Sequence, residues 1–165
     1  MTTKEATELF DSLEPASVVE MLGQWRGEGI GTDHPMDGML EASYWYGKNF
    51  KGPDAVYPLW HKSPIWGDCY VNPSRLPLKL TTHLPFRNEL GPFIFPLLVP
   101  FIRTNKPKAR LREILFRGRY HAAMCYDTKP INDVFAHIDD KSIMGWMDFK
   151  GMDKPYFFKL YREQV

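Results

Sequence analysis

Between Leu22 and Thr32 the chain alternates two kinds of position. Gly23, Trp25, Gly27, Gly29 and Gly31 share one parity; Gln24, Arg26, Glu28 and Ile30 share the other. Successive side chains of a strand point to opposite faces. One face therefore carries an indole and a row of missing side chains, and the other carries mostly long polar groups. Repeated glycine on one face marks a bend or a close approach of something to the backbone. The pattern predicts the first strand of a small barrel, with Trp25 plugging one end and the glycine face leaving room inside.

Helical spacing of Ala6, Leu9, Phe10 and Leu13 predicts a helix over 4–13, with Thr3 as its N-cap and one more turn over 17–21. This helix is expected across one end of the barrel. A polar turn follows over 32–38, then a short helical turn over 39–42. Strands are predicted over 44–48, 55–60 and 66–71, punctuated by Gly52-Pro53-Asp54 and Ser63-Pro64. Residues 76–82 lean apolar, and 93–102 are strongly apolar. Pro92, Pro96 and Pro100 make the latter a poor central strand and a poor long helix, so short helical turns over a cavity mouth are expected. Further strands are predicted over 111–116, 120–126, 143–149 and 156–161. In 120–126, Tyr120, Ala122, Met124 and Tyr126 alternate with His121, Ala123 and Cys125.

The resulting expectation is a mainly β fold: a small antiparallel barrel with an N-terminal helix and a short helical lid. Residues 1–21 form the helix and 22–165 a single barrel domain. Within it the first half runs over about 22–75, the lid over about 76–106 and the C-terminal half over about 107–165.

Composition changes this picture little. The 165 residues suit one domain, and aromatics at 15% exceed what a minimal core needs. A net charge of +1 gives no reason to expect nucleic acid. Cys69 and Cys125 are far apart and form no metal-ligand spacing, so they read as free thiols in a reducing compartment. No signal peptide and no run of 18 apolar residues is evident, and the expectation is a cytoplasmic protein.

Gly23-Gln24-Trp25-Arg26-Gly27 resembles the GXWXG signature. His34-Pro35-Met36-Asp37-Gly38, Trp45-Tyr46-Gly47-Lys48, Phe50, Val56 and Pro58-Leu59 extend the resemblance to the N-terminal half of the GXWXG-motif family. Tyr126-Asp127, Pro130-Ile131, Asp133, Phe135, Asp139-Asp140, Gly145, Met147-Asp148, Lys150-Gly151 and Tyr156-Phe157-Phe158 resemble its usual companion, a domain of unknown function. The first strand is also similar to nitrobindins and, more loosely, to lipocalin and fatty-acid-binding barrels. The resemblance implies an antiparallel calycin-like barrel with an internal ligand site.

Several residues are candidates for chemistry. Nitrobindins hold haem through one late histidine, and the resemblance puts His121 forward; the last strand has no histidine, and His137 is expected in an acidic turn with Asp139 and Asp140. His34 with Asp37, or Asp127, would serve an acid/base step; alternatively His34 and Asp37 shape the turn after the first strand. Asp127, Asp133, Asp148 and Lys150 lie in or beside apolar strands. If they point inward they should pair with Arg26 or Lys48; otherwise they pair at the rim or surface. The basic run from Arg103 to Arg119, beside the apolar 93–102 segment, reads as a solvated hairpin face, a membrane-surface element or a dock for an acidic partner such as a carrier domain.

The function expected is non-catalytic binding of a small hydrophobic or aromatic molecule, as an accessory protein in lipid or polyketide metabolism. Its walls would be Trp25, Trp45, Tyr46, Met124, Tyr126, Met147 and Phe157, with Lys48 and Asp127 as polar anchors. No metal and no cofactor is expected. A cyclase- or isomerase-type enzyme using His34, Asp37 or Asp127 is the alternative from another class, and a nitrobindin-like haem protein is a third.

Overall fold

In the computed structural model, residues 1–77 and 87–163 are described. Helix α1 (Thr3–Ser12) starts one residue earlier than expected, because Thr2 is the N-cap. Its hydroxyl accepts from Glu5 N, and the Glu5 carboxylate accepts from Thr2 N at 2.7 Å, closing a capping box. Ser17 and Glu20 repeat this arrangement for the single turn α2 (Val18–Met21). Between them β1 (Glu14–Pro15) makes a short pairing.

Among the described residues nine longer strands follow: β2 (Gly23–Ile30), β3 (Trp45–Gly52), β4 (Ala55–Ser63), β5 (Gly67–Tyr70), β6 (Ala109–Phe116), β7 (Arg119–Tyr126), β8 (Ile131–Asp139), β9 (Ser142–Phe149) and β10 (Tyr156–Arg162). Their pairings are antiparallel. In the order β2-β3-β4-β6-β7-β8-β9-β10 they close into a ring of eight strands, since β10 returns to β2. The seam between β4 and β6 is the narrowest, joined by pairing of Val56 with Ala109. β5 extends β4 to one side.

Alternation sorts the side chains. Trp25, Phe50, Leu111, Met124, Phe135, Met147, Phe158 and Leu160 pack the inside. Val134, Ala136, Met144, Trp146 and Phe157 face outward and bury Ala6 and Phe10 of α1. Helix α1 therefore lies along the side wall of the ring, not across its end. Strand β8 has no counterpart among the strands expected from the sequence. Its Ile-Asn-Asp-Val-Phe-Ala-His segment is buried on both faces, so polar alternation is absent.

Gly27 and Gly29 of β2 do not leave empty space: a Cβ on Gly27 would lie 2.1 Å from the Trp45 ring, and one on Gly29 2.5 Å from the Tyr156 hydroxyl. Likewise on β9, a Cβ on Gly145 would lie 2.2 Å from Phe158. The aromatic rings occupy the room the glycines provide. Trp25 is buried at 2% exposure; its Nε1–H donates to Met21 O at 2.9 Å, and the Arg162 guanidinium stacks 4.3 Å above it.

The expected short helical lid is instead one 16-residue helix, preceded by α3 (Met39–Ala42). Helix α4 (Arg87–Ile102) continues through Pro92, Pro96 and Pro100. Pro96 and Pro100 have no N–H, so the carbonyls of Pro92 and Pro96 lose their helical partners. Side chains replace them: Tyr44 OH donates to Pro92 O at 3.2 Å, and Trp66 Nε1–H donates to Pro96 O at 2.9 Å. The part of the expected lid over 78–86 lies outside the described residues. Among the described residues, no helix is long and apolar enough to cross a membrane.

Candidate functional site

A register irregularity in β3 assembles the site. Trp45 pairs with His61, Gly47 with Trp60 and Asn49 with Tyr57, so the register shifts on either side of Gly47. A regular strand places residues three apart on opposite faces; the bulge lets Trp45 and Lys48 both face the interior. Gly47 sits where a Cβ would be 1.9 Å from the Trp25 carbonyl oxygen, so only glycine allows this approach.

Inside the ring, Lys48 Nζ lies 2.8 Å from Asp133 Oδ2, with the two side chains 3% and 1% exposed. Lys48 also approaches Pro58 O at 3.4 Å. Its ammonium stands 4.9 Å from the Phe158 ring centre, 5.5 Å from Trp45 and 5.9 Å from Tyr126. Such a cation over aromatic faces is stabilised by the ring quadrupoles. Asp133 Oδ1 is buried with no hydrogen-bond partner among the described residues. Burial pushes the Asp133 carboxyl up, with the Lys48 ammonium pulling against it. Burial, and secondarily the Asp133 charge, raise the Tyr126 phenol well above its ordinary value.

The structure brings together Trp25, Trp45, Lys48, Met124, Tyr126 and Met147 of the sequence-predicted wall. It sends three others elsewhere. Tyr46 points out of the ring, where its OH donates to Glu163 Oε1 at 2.6 Å and its ring meets Trp60 edge-on. Phe157 is outside, beneath α1 and against Trp146. Asp127 lies past the end of β7, paired with Arg110 at 3.1 Å on the surface. The inward carboxylate is Asp133, and Phe158 completes the wall; the phase of β10, with Tyr156, Phe158 and Leu160 sharing a face, is the signal that could have found the latter. Asp148 and Lys150 are exposed.

His34 and Asp37 build the turn after β2. Asp37 Oδ2 accepts from the backbone N–H of Thr32 and of His34, each at 3.0 Å. His34 Nδ1 accepts from Met36 N, which leaves Nε2–H to donate to Lys154 O, both at 3.0 Å. Burial lowers the pKa of this imidazole. His121, the haem candidate, faces away from the interior. It stacks on Phe10 and its Nδ1 bonds Phe135 O at 2.9 Å. A cleft of about 120 Å³ beside it is lined by Phe10, Asp11, Arg117 and Arg119. His137 is in β8 rather than in a turn, bonded to Glu20 at 3.3 Å. Among the described residues no three His, Cys, Asp or Glu side chains form a metal-binding group, and both cysteines are free.

The basic run is largely neutralised within the chain. Arg110 pairs with Asp127, Arg112 with Asp54, Arg117 with Asp11 and Arg119 with Glu14.

Comparison with known proteins places two family models on the chain. Residues 8–64 match the GXWXG protein model, and residues 107–162 match a domain of unknown function, DUF4334. A crystal structure of a protein from Thermomonospora curvata is similar, with a TM-score of 0.71 and 34% identity. The match covers 96% of this chain and 85% of that one. Among curated proteins none matches.

Proposed function

The chain belongs to the family defined by a GXWXG segment followed by DUF4334, and within it we propose a non-catalytic binding protein that holds a small hydrophobic or aromatic molecule inside a calycin-like barrel. The observation that carries this reading is the Lys48–Asp133 pair, set among Trp45, Tyr126 and Phe158 with Asp133 Oδ1 unpartnered. A buried ion pair is poor value as a stabilising device, because desolvation offsets most of its attraction. An unpartnered carboxylate oxygen beside it suits a ligand hydroxyl or N–H, while Met124, Met147 and Phe158 suit an apolar body. The β4–β6 seam, next to Pro58 and Tyr126, has the fewest ladder pairs in the ring. Such cargo fits a cytoplasmic accessory role in lipid or polyketide metabolism.

The test is native mass spectrometry of the protein purified from its own host, alongside Asp133→Asn. A co-purifying small molecule that the variant loses supports the reading. An empty wild-type protein that also fails to bind any member of a hydrophobic and aromatic compound set overturns it.

One observation favours an isomerase- or cyclase-type enzyme as the second reading: a buried carboxyl with an elevated pKa beside a lysine suits proton transfer. It moves the acid/base role from His34, Asp37 and Asp127 to Asp133. Turnover of the co-purifying molecule, abolished in Asp133→Asn, distinguishes it from simple binding.

A further inference from the structure

Helix α4 has two apolar faces. Phe95, Val99 and Ile102 pack onto Val71, Tyr44 and Leu59. On the other side Leu90, Phe93, Ile94, Leu97, Leu98 and Phe101 recur at spacings of three and one, which is one stripe of a helix. Phe93, Leu97 and Phe101 are 75%, 68% and 73% exposed. From Leu90 to Ile102 the sequence has no charged residue. Trp66 and Ile65, also exposed, are held next to the stripe by the Trp66–Pro96 bond. A contiguous exposed apolar surface of this kind marks an interaction site.

We propose that α4 seats on the surface of an anionic lipid bilayer, with its stripe in the acyl-chain boundary. The charge arrangement favours lipid. Arg103, exposed at the end of the helix, stands over the Trp66 ring at 5.7 Å. The exposed Arg75 donates to Phe101 O at 2.6 Å. Two guanidiniums and an indole thus frame one end of the stripe, where phosphate headgroups meet acyl chains. Glu89 is in the first turn of the helix, about 21 Å from Arg103 along the axis. The proline carbonyls are already satisfied by Tyr44 and Trp66, so these two oxygens need no water. An acidic protein partner has less to recognise, because Arg110, Arg112, Arg117 and Arg119 are paired within the chain. The proposal is independent of what the ring interior holds.

The experiment is co-sedimentation of the full chain with phosphatidylcholine vesicles, with and without phosphatidylglycerol, and with tryptophan emission recorded. The expected result is pelleting with phosphatidylglycerol vesicles and a blue shift. Leu97→Glu/Phe101→Glu should weaken binding by on the order of tenfold or more, and Phe93→Gln should weaken it less. Arg75→Gln/Arg103→Gln should keep the apolar component and lose the preference for anionic lipid. All these side chains are exposed, and circular dichroism verifies that each variant folds. No pelleting with phosphatidylglycerol vesicles overturns the proposal, as does pelleting that Leu97→Glu/Phe101→Glu and Phe93→Gln leave unchanged. A dimer in sedimentation velocity that Leu97→Glu/Phe101→Glu dissolves, or stripe-dependent binding of an acidic carrier domain without vesicle binding, also overturns it.

Discussion

Lys48 and Asp133 join β3 to β8 across the interior, 2.8 Å apart and 85 residues apart in sequence, between strands that share no ladder. Lys48→Met leaves the Asp133 carboxylate buried and uncompensated, a loss of about 3–5 kcal/mol in urea unfolding. Adding Asp133→Leu should restore most of it, since removing both charges is far less costly than removing one. A double variant no more stable than Lys48→Met would show that the two groups are not coupled. A carboxyl whose folded pKa is raised binds its proton more tightly when folded. Lys48→Met should therefore regain stability as pH falls through the raised Asp133 value toward the ordinary carboxyl range.

His61 provides the opposite pH dependence. Burial pushes its imidazole down to about 4, while Nδ1–H donates to Ser43 O at 2.7 Å. The unfolded chain takes up the proton near its ordinary pKa of about 6.5. This contribution is complete above that value and is lost as pH falls toward 4, at up to about 1.4 kcal/mol per pH unit. Urea midpoints for His61→Gln should fall less steeply with acid than those of the wild type over this window. Equal slopes would refute the assignment. His34 and His121, also lowered by burial, contribute with the same sign in both proteins.

Two glycines separate a yielding neighbour from an unyielding one. Gly27→Ala drives a methyl into the Trp45 ring, at a cost of about 1–3 kcal/mol. Trp45→Phe should relieve part of that in the double variant. Gly47→Ala meets the Trp25 carbonyl oxygen, which cannot rotate away, so it should be more destabilising and show no such rescue. Thermal unfolding of the wild type, the three single variants and the two double variants with Trp45→Phe decides the order.

Trp66→Phe removes the donor to Pro96 O. An orphaned helix carbonyl should lower the local opening energy of α4 by about 1 kcal/mol. Amide exchange should speed up over Leu97–Ile102 and stay unchanged in β8 and β9. Uniform acceleration would mean that the bond serves the whole fold.

Much of the ring was legible because alternation is visible wherever one face is wet. The phases of β2 and β7 and the burial of Trp25, Met124 and Tyr126 follow from it. The pattern fails where both faces are covered. β8 has α1 on its outside and the interior on its inside, so it shows no polar rhythm, and Asp133 hides within it. It fails again at Gly47, where one irregularity changes the phase between Trp45 and Lys48. Residue type alone puts Tyr46 and Phe157 on the wall, and the phase of their strands sends them outside. The prolines of α4 mislead for a different reason: their missing hydrogen bonds are supplied by Tyr44 and Trp66, which no local reading of 87–102 includes.

Closure of the ring through β2 and β10 sets a schedule for synthesis. Strand β2 leaves the ribosome with β3 as a partner on one side only, because its other neighbour is β10, far later in the sequence. At about 5–20 residues per second, the intervening stretch keeps that edge open for on the order of ten seconds. During the interval one hydrogen-bonding edge of β2 is unpaired, and Lys48 has no Asp133 to meet. The window shuts when Tyr156–Arg162 arrives to pair with both β2 and β9.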